Sequence, residues 1–395
     1  MTTIYLDNNA TTQVASEVLE AMLPYFYELY GNPSSMHFFG GQVGRKIRQA
    51  REQVAALINA EPDEIIFTSC GTESDNTAIR SALATNLGKR HIVISRVEHP
   101  AIHALGAHLV KEGYRVTELP VDSDGRINLD QFARSLTSET AIASLMWANN
   151  ETGVIFPVEE AAAIARNKGV LFHTDAVQAV GKIPIDMKKN AIDMLALSGH
   201  KLHAPKGVGA LYVRRGTRFS PFLIGGHQEK GRRGGTENTA SLIGLGVACE
   251  LAARNMEKEN THVKYLRDKL ENALLTRIPN SRVNGDRVNR LPNTSNISFE
   301  FVEGEAILLM INELGICASS GSACTSGSLQ PSHVLRAMGV SFTFAHGSIR
   351  LSLSVYNTEQ EIDFVIEKFP VIIERLRGLS PYWGVGDAVC ATMET

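Results

Sequence analysis

Met194-Leu195-Ala196-Leu197-Ser198-Gly199-His200-Lys201 is the stretch that decides the fold of this chain. Four successive apolar residues, closed by the turn-forming pair Ser198-Gly199, predict a short buried strand. Ligands of an open α/β sheet collect at the carboxyl ends of its strands, and Lys201 follows such an end. A lysine there is well placed to form an imine, although a solvated loop lysine is the common alternative.

Similar apolar runs recur along the chain, and most are separated by stretches with helical periodicity. Strand patterns occupy 64–68, 91–95, 141–146, 170–173 and 209–213, and helical patterns occupy 40–59, 72–87, 100–112 and 158–168. Strands that alternate with helices predict the α/β class, with a mostly parallel central sheet that has helices on both faces.

The pattern changes near residue 256 to that of a smaller α+β unit. Its predicted elements are a charged helix at 257–277 and strands at 296–301 and 348–353, with a Ser/Gly-rich loop between the strands. Because 395 residues exceed what one hydrophobic core usually serves, two domains are expected. We predict a large cofactor-binding domain over 14–255 and a small domain formed by 1–13 and 256–395.

Composition and charge are those of an ordinary globular protein and argue against several kinds of partner. A formal net charge of -3 offers no electrostatic basis for binding nucleic acid or an anionic membrane. No apolar run approaches the ~18 residues of a membrane span, and the first residues lack a signal peptide, so a cytoplasmic location is expected. The five cysteines contain no C-x-x-C pair, which argues against a disulfide framework and a structural zinc site.

The segment Thr68-Ser69-Cys70-Gly71-Thr72 runs from a predicted strand through glycine into a predicted helix. The free N–H groups and the positive dipole end of that helix are suited to a phosphate, although Thr72 could serve only as an N-cap. The sequence contains neither G-x-G-x-x-G nor a Walker A pattern, so dinucleotide and P-loop sites lose their main support.

Three polar side chains follow other predicted strands and are candidates for contacts with a flat cofactor. Asp175 would pair with a protonated ring nitrogen, or would cap the next helix. His99, which precedes Pro100, would stack on a ring or move a proton near neutral pH, or would have only a structural role. Asn150 would donate to a ring oxygen, or would belong to a turn.

Cys324 and Arg350 are the candidates in the carboxyl-terminal part of the chain. Cys324 lies among small residues at 318–328, most of them polar or glycine. Such neighbours would leave its thiol exposed, so a reactive thiol is favoured over a buried one. Arg350 interrupts an apolar strand pattern, where it would bind a substrate carboxylate or face outward. A basic glycine-rich loop at 225–229 and 232–237 would reach a phosphate or a neighbouring subunit, or would be solvated.

The order of these motifs resembles that of the cysteine desulfurases, most closely the nitrogen-fixation type, and the resemblance covers nearly the whole chain. The motifs that carry it are YLDNNATT at 5–12, GTES at 71–74, VEH at 97–99, NNE at 149–151, TDAVQ at 174–178, SGHK at 198–201, GHQE at 226–229, RGGT at 233–236 and the Cys324 loop. Cys70-Gly71 is a departure, because many relatives have Gly-Ala there.

The resemblance implies pyridoxal-phosphate fold type I and a homodimer with active sites near the subunit interface. It implies that Lys201 holds pyridoxal 5'-phosphate as an imine, that Asp175 pairs with the ring nitrogen and that His99 stacks on the ring. Further implied cofactor contacts are Gln178 and Asn150 at the ring hydroxyl, Gly71, Thr72, Ser198 and His200 at the phosphate, and Thr236 at the phosphate from the other subunit. Asn32 and Arg350 would bind the substrate carboxylate.

The implied reaction converts L-cysteine to L-alanine. Lys201 would remove the α-proton, and Cys324, with His99 as proton carrier, would attack the substrate sulfur as a thiolate and become a persulfide. The sulfur would pass to a scaffold protein for iron–sulfur cluster assembly in nitrogen fixation, and any metal contact of Cys324 would be transient. The alternatives are a selenocysteine lyase or another pyridoxal-phosphate enzyme of this fold, and a silent scaffold that should lack Lys201 or Cys324.

Overall fold

A computed structural model of the chain describes residues 3–320 and 331–383. Its strands are β1 (Ile4–Tyr5), β2 (Ile65–Thr68), β3 (His91–Ser95), β4 (Arg115–Leu119), β5 (Thr140–Ser144), β6 (Leu171–Asp175), β7 (Met194–Ser198), β8 (Gly209–Val213), β9 (Ser281–Val283), β10 (Thr294–Phe299), β11 (Ile316–Cys317), β12 (Ser319–Ser320) and β13 (Ser348–Ser352). Its α-helices are α1 (Ser16–Met22), α2 (Pro24–Tyr27), α3 (Phe38–Leu57), α4 (Gly71–Thr85), α5 (Pro100–Lys111), α6 (Leu129–Ser135), α7 (Val158–Asn167), α8 (Thr239–Lys258), α9 (Lys264–Arg277), α10 (Gly304–Asn312), α11 (His333–Ala337), α12 (Phe342–His346) and α13 (Glu359–Leu379).

A seven-stranded sheet in the order β2-β8-β7-β6-β5-β3-β4 is central to the fold. Its neighbouring strands are parallel except at β8, which runs antiparallel to β2 and β7. Side chains alternate across the sheet: Ile65 and Phe67 join a core with α3 and α8, whereas Ile66 joins a second core with α4 and α5. The predicted α/β class, with helices on both faces of a mostly parallel sheet, is confirmed.

The edge strand β4 is the one member of this sheet that the apolar runs do not predict. Its sequence, Arg115-Val116-Thr117-Glu118-Leu119, mixes charged and apolar residues, and most of the strand is partly or fully exposed. Continuous apolar runs identify strands that are buried on both faces. An edge strand with one solvated face can contain polar residues, so its sequence need not be a continuous apolar run.

A second, antiparallel sheet in the order β12-β13-β10-β9 has its own hydrophobic core. The amino-terminal segment contributes Ile4 and Leu6 to this core, and β1 pairs with β11. In contrast, Val334, Leu335 and Met338 of the α11 region pack in the core of the large sheet.

The charged helix predicted at 257–277 is the end of a longer helical run. Helix α8 continues through a π-helical turn, Glu259–Val263, into α9. Residues of α8 pack against the large sheet, whereas Leu266 and Leu270 of α9 pack in the core of the second sheet. The predicted boundary at 255/256 falls inside this run, and the division into two domains stays a prediction.

Candidate active site

The carboxyl ends of β2, β6 and β7 lie at the same edge of the sheet and surround one cavity. The strands β6 and β7 end in Asp175 and Ser198, and α4 begins shortly after β2. The cavity has a volume of about 330 Å³. The predicted site residues that line it are Gly71, Thr72, His99, Asn150, Asp175, Gln178, Ser198, His200, Lys201 and Arg350.

Lys201 follows β7 in a short 3₁₀ turn and faces this cavity. Its Nζ donates hydrogen bonds to the backbone carbonyls of Asn9 and Ala10 at 2.5 and 2.6 Å. Burial lowers the pKa of Lys201 to about 7, and the nearby Arg350 cation adds to the shift. An amine that is partly uncharged near neutral pH is a nucleophile, which imine formation requires.

Asp175 is a buried carboxylate at the end of β6, and His99 lies close enough to affect its charge. Its Oδ1 accepts the N–H of Val177 at 2.9 Å, and a turn follows it rather than the helix that the capping alternative requires. Burial raises the pKa of Asp175, and His99 opposes that shift. A buried carboxylate that lines a cavity is favoured by a cationic partner, such as a protonated ring nitrogen.

His99 is the N-cap of α5 as well as part of the cavity lining. Its Nδ1 accepts the backbone N–H of Ala101 at 3.2 Å, which leaves Nε2 as the remaining ring nitrogen for proton exchange. Burial lowers the pKa of His99, and Asp175 opposes the shift. The structural role and the proposed functional role are therefore compatible.

The first turn of α4 opens into the cavity at Gly71 and Thr72. The N-cap of the helix is Cys70 rather than Thr72, and its side chain makes no capping hydrogen bond. A Cβ at Gly71 would lie 2.8 Å from Val177 Cγ2, so a larger residue would disturb the packing there. Ser198 Oγ is buried and has no hydrogen-bond partner among the described residues. Free N–H groups, a helix dipole and a spare hydroxyl together suit an anion such as a phosphate.

Gln178, Asn150 and His200 all contact the polar amino-terminal segment. Gln178 Nε2 donates to the carbonyl of Asn9 at 3.0 Å, while Gln178 Oε1 is buried without a partner in 3–320 and 331–383. Asn9 Nδ2 donates to the carbonyl of Asn150 at 3.1 Å. Burial lowers the pKa of His200 to about 4, and its Nδ1 lies 3.2 Å from Thr11 Oγ1. The amino-terminal segment therefore orients several site residues, a role that its sequence does not predict.

Arg350 enters the cavity from β13 of the second sheet and is buried, so the outward-facing alternative is wrong. Its Nη2 donates to Asp7 Oδ1 at 2.8 Å and its Nη1 to the carbonyl of Asn150 at 3.1 Å. Its Nε is buried and has no hydrogen-bond partner within the described ranges. A guanidinium that is held at one side and has a spare donor can bind a carboxylate.

Three predicted site residues do not belong to the described lining of the cavity. Asn32 and Thr236 lie outside it, and Asn32 Oδ1 accepts the N–H of Ser34 at 2.9 Å. Cys324 lies outside the described residues. The roles of all three stay predictions.

Two side chains of the glycine-rich loop form ion pairs with the rest of the chain, while residues 225–227 and 235–236 are exposed to solvent. Arg233 Nε lies 2.9 Å from Glu73 Oε1 in the first turn of α4, and Glu229 Oε1 lies 2.6 Å from Arg51 Nη2. The ion pair between Arg233 and Glu73 holds the loop beside the first turn of α4, which is the candidate phosphate site.

Two buried acids that line the cavity, Asp75 and Glu151, are missed by the sequence patterns. Asp75 Oδ1 lies 3.6 Å from His173 Nε2, and neither atom has a hydrogen-bond partner among the described residues. Burial raises the pKa of Asp75, and the nearby Asp175 adds to the shift. Asp75 lies one helical turn after Gly71 on α4, so helical spacing is the signal that predicts its direction.

Metal-ligating clusters and membrane-spanning helices are both absent from the described residues. Within 3–320 and 331–383, no group of three or more His, Cys, Asp or Glu side chains is arranged to hold a metal ion. In the same ranges, none of the helices combines the length and apolarity that crossing a membrane requires.

Comparison with known proteins identifies the family. The sequence profile of the aminotransferase class-V family matches residues 4–365, and the chain belongs to this family. The cysteine desulfurase NifS of Azotobacter vinelandii is 60% identical over 384 residues, which cover 97% of this chain and 96% of that protein.

Solved structures agree with this assignment. A NifS-like protein matches with a TM-score of 0.89 at 38% identity, covering 95% of this chain and 100% of that one. SspA in complex with cysteine matches with a TM-score of 0.79 at 35% identity, covering 90% of this chain and 100% of that one. The predicted pyridoxal-phosphate fold type I and the resemblance to cysteine desulfurases are confirmed.

Proposed function

We propose that this chain is a pyridoxal-phosphate-dependent cysteine desulfurase, which converts L-cysteine to L-alanine and leaves the sulfur as a persulfide on Cys324. The observation that carries the proposal is Lys201, a lysine with a lowered pKa that shares one cavity with Asp175 and Arg350. A 60% identity to a cysteine desulfurase across almost the whole chain supports the same reaction.

The polar groups of the cavity fit the proposed cofactor. The first turn of α4 and the unpartnered Ser198 hydroxyl suit the phosphate, and the buried Asp175 carboxylate suits a protonated ring nitrogen. Gln178 Oε1, buried without a partner among the described residues, can accept from a ring hydroxyl. When bound, the cofactor supplies an electron sink that makes the α-proton of an amino acid labile.

Side chains of the protein bind the substrate and transfer the protons. Arg350 binds the substrate carboxylate and thereby orients the amino acid, with Asp7 holding the guanidinium. Lys201 Nζ, once free, takes the α-proton, because its pKa of about 7 matches a base that works near neutral pH. His99 Nε2 moves the proton of the Cys324 thiol.

The transfer of sulfur from the substrate to Cys324 forms one bond and breaks one bond. The Cys324 thiolate attacks the substrate sulfur, the S–S bond forms and the carbon–sulfur bond breaks. The electron pair of the broken bond returns to the carbon skeleton, which takes up a proton and leaves as alanine. SspA, a structural relative, has been solved with bound cysteine, which supports this substrate class.

The direct test is product analysis with purified protein. We expect L-cysteine to yield alanine without any 2-oxo acid, together with one persulfide on Cys324 per protein in a single turnover. Alanine from selenocysteine alone would favour a selenocysteine lyase, and dependence on a 2-oxo acid would favour an aminotransferase. Either result would contradict the proposal.

The pH dependence of cofactor loading follows from the state of Lys201. Protonation blocks attack on an aldehyde, so the loading rate should rise with pH through about 7, the pKa of Lys201, and then level off. An ordinary lysine would give a rate that rises until about pH 10.4. The measurement is the absorbance of the imine after apoprotein is mixed with pyridoxal phosphate. A rate that rises as steeply as an ordinary lysine requires, without levelling off, would contradict the lowered pKa.

We further propose a homodimer. Exposed Phe26, Tyr30 and Phe38 surround Asn32 in sequence, and Ile224 is 88% exposed in the loop that leads to Thr236. Large apolar side chains at a surface favour a protein interface, and a second copy of the chain would cover them next to both residues. This arrangement would bring Thr236 to the neighbouring phosphate.

An iron–sulfur scaffold protein is the proposed sulfur acceptor, and nitrogen fixation is the process that we propose the assembled clusters serve. The supporting observation is the identity to NifS of Azotobacter vinelandii. A cytoplasmic location belongs to the same proposal and is supported by the free cysteines Cys70, Cys249 and Cys317.

A further inference from the structure

Lys182 is a buried lysine near Lys201 to which the proposed mechanism gives no role. It lies in the turns that follow β6, and only 7% of it is exposed, although lysines are rarely buried without a partner. A small cavity of about 30 Å³ is lined by Lys182, Lys201 and Glu259. Neither Lys182 nor Glu259 belongs to the described lining of the larger cavity. Lys201 therefore lines two cavities, one for the proposed cofactor and one that it shares with a second lysine.

The backbone on either side of Lys182 is fixed against the surrounding chain. Gly181 has a φ of 76°, and a Cβ there would lie 2.5 Å from Leu202 Cδ2, so its backbone packs directly on the residue that follows Lys201. The carbonyl of Lys182 accepts a hydrogen bond from Asn260 Nδ2 at 2.8 Å. Asn260 belongs to the π-helical turn between α8 and α9. These contacts hold Lys182 beside the turn that contains Lys201.

Glu259 supplies an acid to the small cavity. Its side chain is buried, and its Oε1 has no hydrogen-bond partner among the described residues. Burial raises the pKa of Glu259, and the Lys182 cation opposes this shift. His203 lines the same cavity, but burial lowers its pKa to about 4, so it is uncharged at neutral pH. Glu259 is thus the group that can balance the charge of Lys182.

Two cations act on Lys201 from different elements. Burial is the largest cause of its lowered pKa, and the charges of Arg350 and Lys182 add to the shift. A nearby like charge disfavours the charged form of an amine, so each cation favours the neutral form. The carboxylates of the amino-terminal segment and β6 oppose the shift, whereas the neighbouring imidazoles have pKa values that burial lowers. These four groups are Asp7, Asp175, His99 and His200.

Arg350 and Lys182 differ in what they meet during the proposed reaction. The substrate carboxylate would bind Arg350 and offset its charge, whereas Lys182 lies outside the described lining of that cavity. We infer that Lys182 is a positioning residue, whose buried positive charge keeps Lys201 Nζ in the uncharged form that imine formation and proton removal both need. This inference rests on the proposed function, in which Lys201 performs both steps.

The test measures the charge of Lys201 directly in cofactor-free, full-length protein. Trace acetic anhydride acetylates only uncharged amines, and mass spectrometry gives the rate at Lys201 relative to free phenylalanine at each pH. Wild-type protein should give a midpoint near 7, the pKa of Lys201. Lys182→Met keeps most of the side-chain length without the charge, and should raise the midpoint by about one pH unit and lower acetylation at pH 7 roughly fivefold. The midpoint for cofactor loading should rise in parallel.

Companion variants separate the charge of Lys182 from its packing. Lys182→Arg keeps the positive charge, so its midpoint should stay close to that of the wild type. Glu259→Gln removes the opposing acid, so its midpoint should stay or fall. The double variant Lys182→Met/Glu259→Gln leaves no buried acid unpaired and should show the full rise even if Lys182→Met folds poorly. Lys206→Met, which removes an exposed cation, should leave the midpoint unchanged.

The possible outcomes are distinct. An unchanged midpoint in Lys182→Met and in the double variant would overturn the inference and leave the proposed function standing. A rise in Lys182→Arg or Glu259→Gln as large as that in Lys182→Met would indicate an effect of packing and would also overturn it. Wild-type protein that forms no imine and releases no alanine would overturn the proposed function, whereas the acetylation midpoints would still show whether Lys182 acts on Lys201.

Discussion

Replacing Lys201 with alanine is expected to abolish the desulfurase activity, with a loss of at least about 10³-fold. Two functions disappear together, the amine that forms the imine and the base that removes the α-proton. The lowered pKa of Lys201 makes both possible near neutral pH, and no other lysine among the described residues lines the cavity. The measurements are alanine release and the imine absorbance of the loaded protein.

A matched control lies a short way along the chain. Lys206 is exposed and lies outside the cavity lining, so Lys206→Ala should keep both the imine absorbance and the activity. If Lys201→Ala retained an imine band that borohydride reduction fixes to another lysine, the assignment of Lys201 would be wrong.

Replacing Cys324 with alanine is expected to stop alanine release from cysteine while leaving the cofactor absorbance intact, again by at least about 10³-fold. The cofactor can still bind and the α-proton can still be removed, but the substrate sulfur has no acceptor. Alanine assays and absorbance spectra of the same preparation test the two halves of this prediction.

Cys70 supplies the control for that experiment. It lies in the cavity lining beside the candidate phosphate site, and it is a free thiol. Cys70→Ala should still form a persulfide on Cys324 and release alanine. Full activity in Cys324→Ala, with a persulfide on Cys70 in its place, would show that the sulfur is carried by Cys70 instead.

Strand ends are the most informative signal in the sequence. A short apolar run closed by a polar or glycine residue predicts both a buried strand and the edge at which it ends. For this reason the sequence alone predicts that Asp175, Ser198 and Lys201 share one edge of the sheet. The same reasoning identifies Gly71, since the helix dipole that suits a phosphate begins where β2 gives way to α4.

Side chains that reach the cavity from other directions are harder to predict. Glu151 sits in a turn whose direction depends on packing against Asn296 and Ser332, which are far away along the chain. Asp7 acquires its role only through Arg350, 343 residues later. Contacts of this kind come from tertiary structure and leave no local periodic pattern. Thr236 would reach the cavity from the second subunit of the proposed homodimer, and Asn32 Oδ1 accepts the N–H of Ser34 in the described chain, so the roles of both stay predictions.

The helical run from α8 through the π-turn to α9 has a mechanical consequence. One end of the run packs in the core of the large sheet and the other in the core of the second sheet, so the run connects the two sheets. Helices bend most readily at features such as a π-helical turn, and this turn lies between the two ends. We therefore expect a rotation of one sheet against the other, which would change the spacing between Lys201 on the large sheet and Arg350 on the second, to bend the run at Glu259–Val263.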